Sequence, residues 1–142
     1  MRVARFSISA NTEIFARWWF KGAGDFITLY ERVFFSLLMI THGYPKLMNL
    51  FSENPSFGDP IGIGEIPTLI LAVIAEFIAP IFIIIGLKTK IFSFFPIATM
   101  LVAVLIVHSD DPFAKKELAL LYLFGFLIIF LMGPGKYSID KN

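Results

Sequence analysis

Apolar residues run almost unbroken along four stretches of the chain, and polar residues gather between them. The stretches 26–48, 66–87, 91–108 and 112–132 have the length of bilayer-crossing helices, at about 1.5 Å of rise per residue against a hydrocarbon layer of roughly 30 Å. Helix breakers bound them. Pro45 removes a backbone donor and clashes with the carbonyl of Thr41, so the first helix is expected to stop or kink between Gly43 and Leu50. Residues 51–65 are rich in Gly, Pro, Ser and Asn and read as an exposed loop. Gly86, with Lys88, Thr89 and Lys90 behind it, closes the second helix and joins it tightly to the third, so these two are antiparallel neighbours. Asp111-Pro112 opens the fourth helix, and Gly133-Pro134-Gly135 ends it. The pattern predicts an all-α integral membrane four-helix bundle over 26–135, with a tail at 136–142. In the segment 1–25, Ile14, Phe15, Trp18 and Trp19 beside Arg17 and Lys21 predict an interfacial amphipathic helix. The alternative for that segment is a tail without fixed structure.

Composition strengthens the membrane assignment. Of 142 residues, 57% are hydrophobic and 16% charged, and the mean hydropathy is +0.78; soluble domains are about 25% charged. A net charge of +1 without a concentrated basic face argues against a nucleic-acid partner. The lack of cysteine excludes disulfides, thiolate metal sites and thiol redox chemistry. Nothing near the start resembles a cleavable signal peptide, so the first helix is expected to act as its own signal.

Charge also predicts orientation. With four spans both termini share a side. That side holds Arg2, Arg5, Arg17, Lys21, Lys88, Lys90, Lys136 and Lys141, whereas the opposite loops hold Lys46, Lys115 and Lys116. Basic residues mark the cytoplasmic face, which places both termini there.

Polar residues within the apolar runs are the candidate chemistry. Glu76 sits mid-helix, where a charge costs about 2.5–3.5 kcal/mol to insert. It must be protonated or paired, and it must face protein or water. Pro80 lies four residues on and leaves the Glu76 carbonyl without its usual helical donor. A functional role and a structural interhelical bond are both compatible with this pattern. On the first helix Arg32, Met39 and Lys46 share a face that His42 borders. Arg32 either reaches inward to Glu76 or extends back to the headgroups, the second being favoured. His42 and His108 fall near the same end of two parallel helices, in the segments ITHGYP and IVHSDDP. They suit proton exchange with a ligand or an interfacial hydrogen bond. Glu117, at the entrance of the fourth helix, is expected to approach His108. Together Glu76, His42, Lys46, His108 and Glu117 predict an outward-facing cleft between helices. No phosphate loop, nucleophile elbow or zinc spacing is present, so no catalytic residue or metal ligand is assigned. A bis-histidine haem is not expected from one histidine pair without a Gly-rich groove.

The segments ERVFFSLLMITHGYPKL, AVIAEFIAPIFIIIGLKTK, VH with KKELALLYL, and GPGKYSIDKN resemble the DoxX family of four-helix membrane proteins over roughly residues 28–140. The matching positions are Arg32, His42, Gly43 and Lys46, then Glu76 and Gly86-Leu87, then His108, and finally Glu117, Gly133, Gly135, Ser138 and Asp140. The resemblance implies a bundle in a bacterial inner membrane. It also implies an accessory membrane subunit of a quinone-linked redox complex, with a soluble or membrane redox partner and a homo-oligomer compatible with it. In that reading Glu76 and His108 contact a quinone or exchange protons, and Lys46 stabilises charge on the reduced head. The rival is a binding, transport or scaffold protein whose buried charges are structural.

Overall fold

The computed structural model describes residues 10–140, which are helical with no strand. Arg2, Arg5 and Lys141 of the basic count lie outside the described residues. Helix α1 is Ala10–Leu50, α2 is Glu65–Ile85, α3 is Thr89–Val107 and α4 is Phe113–Met132.

Helix α1 is continuous over 41 residues. No break separates the aromatic N-terminal segment from the part packed in the bundle, and Pro45 does not end the helix. At about 1.5 Å per residue it is roughly 60 Å long, about twice a bilayer core. Its first turns project past the other helices, leaving Phe15, Trp18, Trp19 and Phe20 exposed beside Arg17 and Lys21. Just before Pro45 the helix is held from outside. Gly43 lies directly on the backbone of α2, where an added methyl group would come within 2.7 Å of the Phe77 nitrogen and closer still to the Glu76 carbonyl.

Two helices carry a π-turn, a widened stretch that favours functional sites. In α2 it covers Ile74–Ile78 and ends where the Ala79 amide donates to the Ile74 carbonyl. Pro80 lies immediately beyond, so the Glu76 carbonyl lacks its helical donor at the place where Gly43 presses on it. In α3 the π-turn covers Ala103–Val107 and ends with the His108 amide donating to the Ala103 carbonyl at 2.9 Å. Each π-turn positions one of the polar residues singled out above.

The core sits at mid-bundle, where Met39, Ile83, Met100, Tyr122, Phe126 and Ile129 pack together. Phe82 stacks on Phe92 at 4.3 Å, tying α2 to α3 across their short turn. Gly86, at φ 73°, makes that turn, and any side chain there would collide with Arg32 and Ser138.

The chain after α4 folds back beneath this turn. Ile139 and Asp140 donate their amides to the carbonyls of Ile85 and Gly86, at 3.3 and 2.9 Å. The Asp140 carboxylate accepts from the Thr89 amide at 3.2 Å and so caps α3 from another part of the chain. Arg32 completes the junction: it is fully buried and donates to the carbonyls of Ile83, at 3.3 Å, and Tyr137. It therefore neither pairs with Glu76 nor extends to the headgroups. Both terminal nitrogens of the guanidinium are engaged by carbonyls, with Asp140 nearby, and its buried Nε has no hydrogen-bond partner.

Polarity is reversed relative to a soluble protein. Ser36, Ser93, Thr89, Arg32 and Glu76 are buried, while Phe26, Phe94, Leu105, Leu121 and Leu131 are exposed. Such an exterior would associate in water but matches lipid tails. Helices α2 and α3 are long and apolar enough to cross a membrane. Helix α4 has comparable length but opens with Lys115, Lys116 and Glu117.

Candidate functional site

At the end of the bundle opposite the tail, the four helices spread around a cavity of about 460 Å³. Small side chains make the space. Ala72 and Ala75 of α2 face Ala98 and Ala103 of α3, with Ala119 of α4 beside them. The loop 51–64 covers this end through Phe57, Pro60 and Ile61. Asp59 holds the loop in shape by accepting from the amides of Gly64 at 2.8 Å and Ile63 at 3.0 Å, and from the Thr68 hydroxyl at 3.0 Å. Those bonds, the Gly64 amide first, keep the Asp59 carboxyl below the usual carboxylate range.

Helical spacing decides which polar residues reach the cavity. On α1 the stripe is Met39, His42 and Lys46, at steps of three and four. On α2 the corresponding stripe ends at Glu76, which is 3% exposed. Side chains lean toward the N-terminus of their own helix, and α1 and α2 are antiparallel, so Lys46 and Glu76 lean toward each other. The Lys46 ammonium donates to the Glu76 carboxylate, which has 4% side-chain exposure against 27% for Lys46. Lys46 also lies 5.9 Å from the centre of the Phe57 ring. A charge pair thus sits in an apolar cavity with its cation toward the loop.

The histidines occupy different places. His42 meets the ring of Tyr122 edge-on at 5.4 Å, beside the cavity. His108 is at the rim, where its Nδ1 lies 2.7 Å from the Asp111 carboxylate, and Lys115 donates to the other Asp111 oxygen at 3.1 Å. The His108 hydrogen bond, followed by that of Lys115, holds the Asp111 carboxyl below its ordinary range. One expected member of the cleft, Glu117, and the further candidate Arg32 are not in this arrangement. Glu117 is exposed and does not line the cavity, because the inward stripe of α4 is Lys115, Leu118, Ala119 and Tyr122, and residue 117 falls off it. Arg32 lies at the tail junction, on the far side of the Met39 and Ile83 core layer.

Sequence reasoning missed Tyr122 and the loop residues Phe57 and Pro60. A lone tyrosine within an apolar helix is a recognisable signal; a loop's fold over a cavity is not. Among the described residues, no three His, Asp or Glu side chains converge to hold a metal.

Comparison with known proteins agrees with this architecture. The sequence is 27% identical over 123 residues to the inner membrane protein YqjF of Escherichia coli (strain K12), covering 82% of this chain and 92% of that one. No solved structure matches. The all-helical bundle, with its apolar exterior and buried charges, is that of an integral membrane protein. The match to the DoxX family extends over residues 27–109, from the packed part of α1 to the end of α3 and through Gly43, Lys46, Glu76 and His108, so the chain belongs to the DoxX family.

Proposed function

We propose that this protein binds a quinone, or an amphipathic molecule of similar size, in the cavity around Glu76 and serves as the membrane subunit of a redox complex. The observation that carries the reading is the Lys46–Glu76 pair inside a largely apolar cavity of about 460 Å³. Cavities of roughly 300–1,000 Å³ with few, placed polar groups are typical of small-molecule sites. Reduction of a quinone takes up protons with electrons, so exchangeable groups beside the ring are useful. Lys46 and Glu76 would serve inside the cavity, and His108 with Asp111 would exchange protons with solvent at the rim. Electrons must arrive from a partner, since the chain has no cysteine for thiol chemistry.

In the orientation set by the basic residues, all four helices cross the inner membrane, both termini are cytoplasmic, and the cavity opens toward the outer half. The projecting start of α1 then passes through the cytoplasmic headgroup layer, with Trp18 and Trp19 at the interface.

The test is organic extraction of the purified protein, followed by titration of the stripped protein with decylubiquinone. The proposal expects co-purified quinone and saturable binding that disappears in Ala103→Phe, which fills the cavity. Undiminished binding in that variant would place the ligand elsewhere. A transport or carrier function uses the same cavity; it would be favoured if quinone bound but no reductase activity co-purified in the native membrane complex.

A further inference from the structure

Tyr122 is 6% exposed, and it lines the cavity on the stripe that also carries Lys115 and Ala119. Its ring is fixed on two sides: Phe35 meets it edge-on at 6.5 Å and His42 at 5.4 Å. Its hydroxyl has no hydrogen-bond partner among the described residues. That is unusual, because a buried tyrosine ordinarily finds a partner for its O–H. The hydroxyl is not fully enclosed, and the residue that carries it lines the cavity. Side chains on α4 lean toward its N-terminus, which directs the phenol toward Ala119 and Leu118 and into the open space. The Glu76 carboxylate is within electrostatic range of the phenol. Glu76 is already engaged by Lys46 and is not bonded to Tyr122.

From these observations we infer that the Tyr122 hydroxyl is a ligand contact, donating a hydrogen bond to a carbonyl-type oxygen on the head of the molecule held in the cavity. The inference rests on the cavity-binding proposal and adds to it a donor and a ligand chemistry. The phenol is then a donor on the α4 wall of the cavity, the Lys46 ammonium is a second one on the side of the loop, and the Glu76 carboxylate is already paired. A flat head with an acceptor oxygen on its rim suits this arrangement, and a pure hydrocarbon does not.

The experiment uses full-length protein in detergent and two probes with the same decyl tail: decylubiquinone, and a decylbenzene without ring oxygens. Tyr122→Phe keeps the ring and its packing on Phe35 and His42 and removes a hydroxyl without a protein partner, so its melting temperature should equal that of the parent. Its affinity for decylubiquinone should fall about threefold to tenfold, the loss of one neutral hydrogen bond. Its affinity for decylbenzene should not change. Equal decylubiquinone affinity in parent and variant would overturn the Tyr122 assignment and leave the cavity proposal standing. A variant that melts several degrees lower and still binds quinone normally would also overturn it, by making the hydroxyl structural. No binding of decylubiquinone by the parent would overturn both.

Discussion

Replacing Lys46 with methionine leaves the Glu76 carboxylate without its cation. The carboxylate has 4% side-chain exposure and lies in an apolar cavity, so water replaces the lost partner poorly. Breaking one side of a buried pair costs about 3–5 kcal/mol. Lys46 has 27% side-chain exposure, so part of its attraction is already screened, and about 2–4 kcal/mol is a better expectation for Lys46→Met. Glu76→Gln should cost less, about 1–2 kcal/mol, because the remaining ammonium keeps some solvent and the amide can still accept from it. In the double variant neither group is charged, and similar volume is retained. Its cost should be smaller than the sum of the two single costs by about 1.5–3 kcal/mol. For a chain of this size a kilocalorie corresponds to about 3 °C of melting temperature. Detergent melts of the parent, both single variants and the double variant form the cycle. Additive costs would refute the pairing. Arg32→Gln combined with Glu76→Gln is the control and should be additive, because Arg32 is engaged by the tail junction.

Gly43→Ala should destabilise by about 1–3 kcal/mol, as overpacking against the α2 backbone, and lower the melting temperature accordingly. Asp140→Ala should cost about 0.5–2 kcal/mol through loss of the cap on Thr89, and it should increase hydrogen exchange at the start of α3 before that of the core. Asp111 has a folded-state affinity for protons lower than its unfolded one, so its contribution to stability is complete above the unfolded value of about 4 and disappears as pH falls through the folded value. In Asp111→Asn that part of the acid-side loss should vanish from melts recorded between pH 5 and 3, with the neutral-pH baseline otherwise parallel to the parent.

Much of the fold can be read from the chain because its signals are local. Gly86 and Gly133 end helices by their own backbone freedom, and the apolar runs between breakers give the helices their number. The tail is different. Arg32 and Tyr137 are joined by a hydrogen bond across 105 residues, and no periodicity foretells it. The position of Glu76 identified it as a buried acid, yet its partner depended on whether α1 survives Pro45. Lys46 and Arg32 share the Met39 face in the sequence, and with the helix continuing past Pro45 it is Lys46 that meets Glu76. Glu117 shows the opposite failure. Its place at the entrance of the fourth helix suggested an approach to His108, but it falls two residues, about 200° of rotation, from Lys115 on the cavity stripe and points elsewhere. The π-turns also rotate whatever follows them, so the setting of His108 requires knowledge of a backbone bond from Ala103.

The central claim is that the cavity beneath loop 51–64 is the ligand site. Photolabelling of the purified protein with an azido-quinone, followed by peptide mapping, tests it most directly. The account predicts labels on the inward stripes, at Met39 to Lys46, Ala98 to Ala103 and Leu118 to Tyr122, suppressed by excess decylubiquinone and by Ala103→Phe. Labels confined to lipid-facing side chains such as Ile91, Phe94 and Leu131, unaffected by competitor, would contradict it.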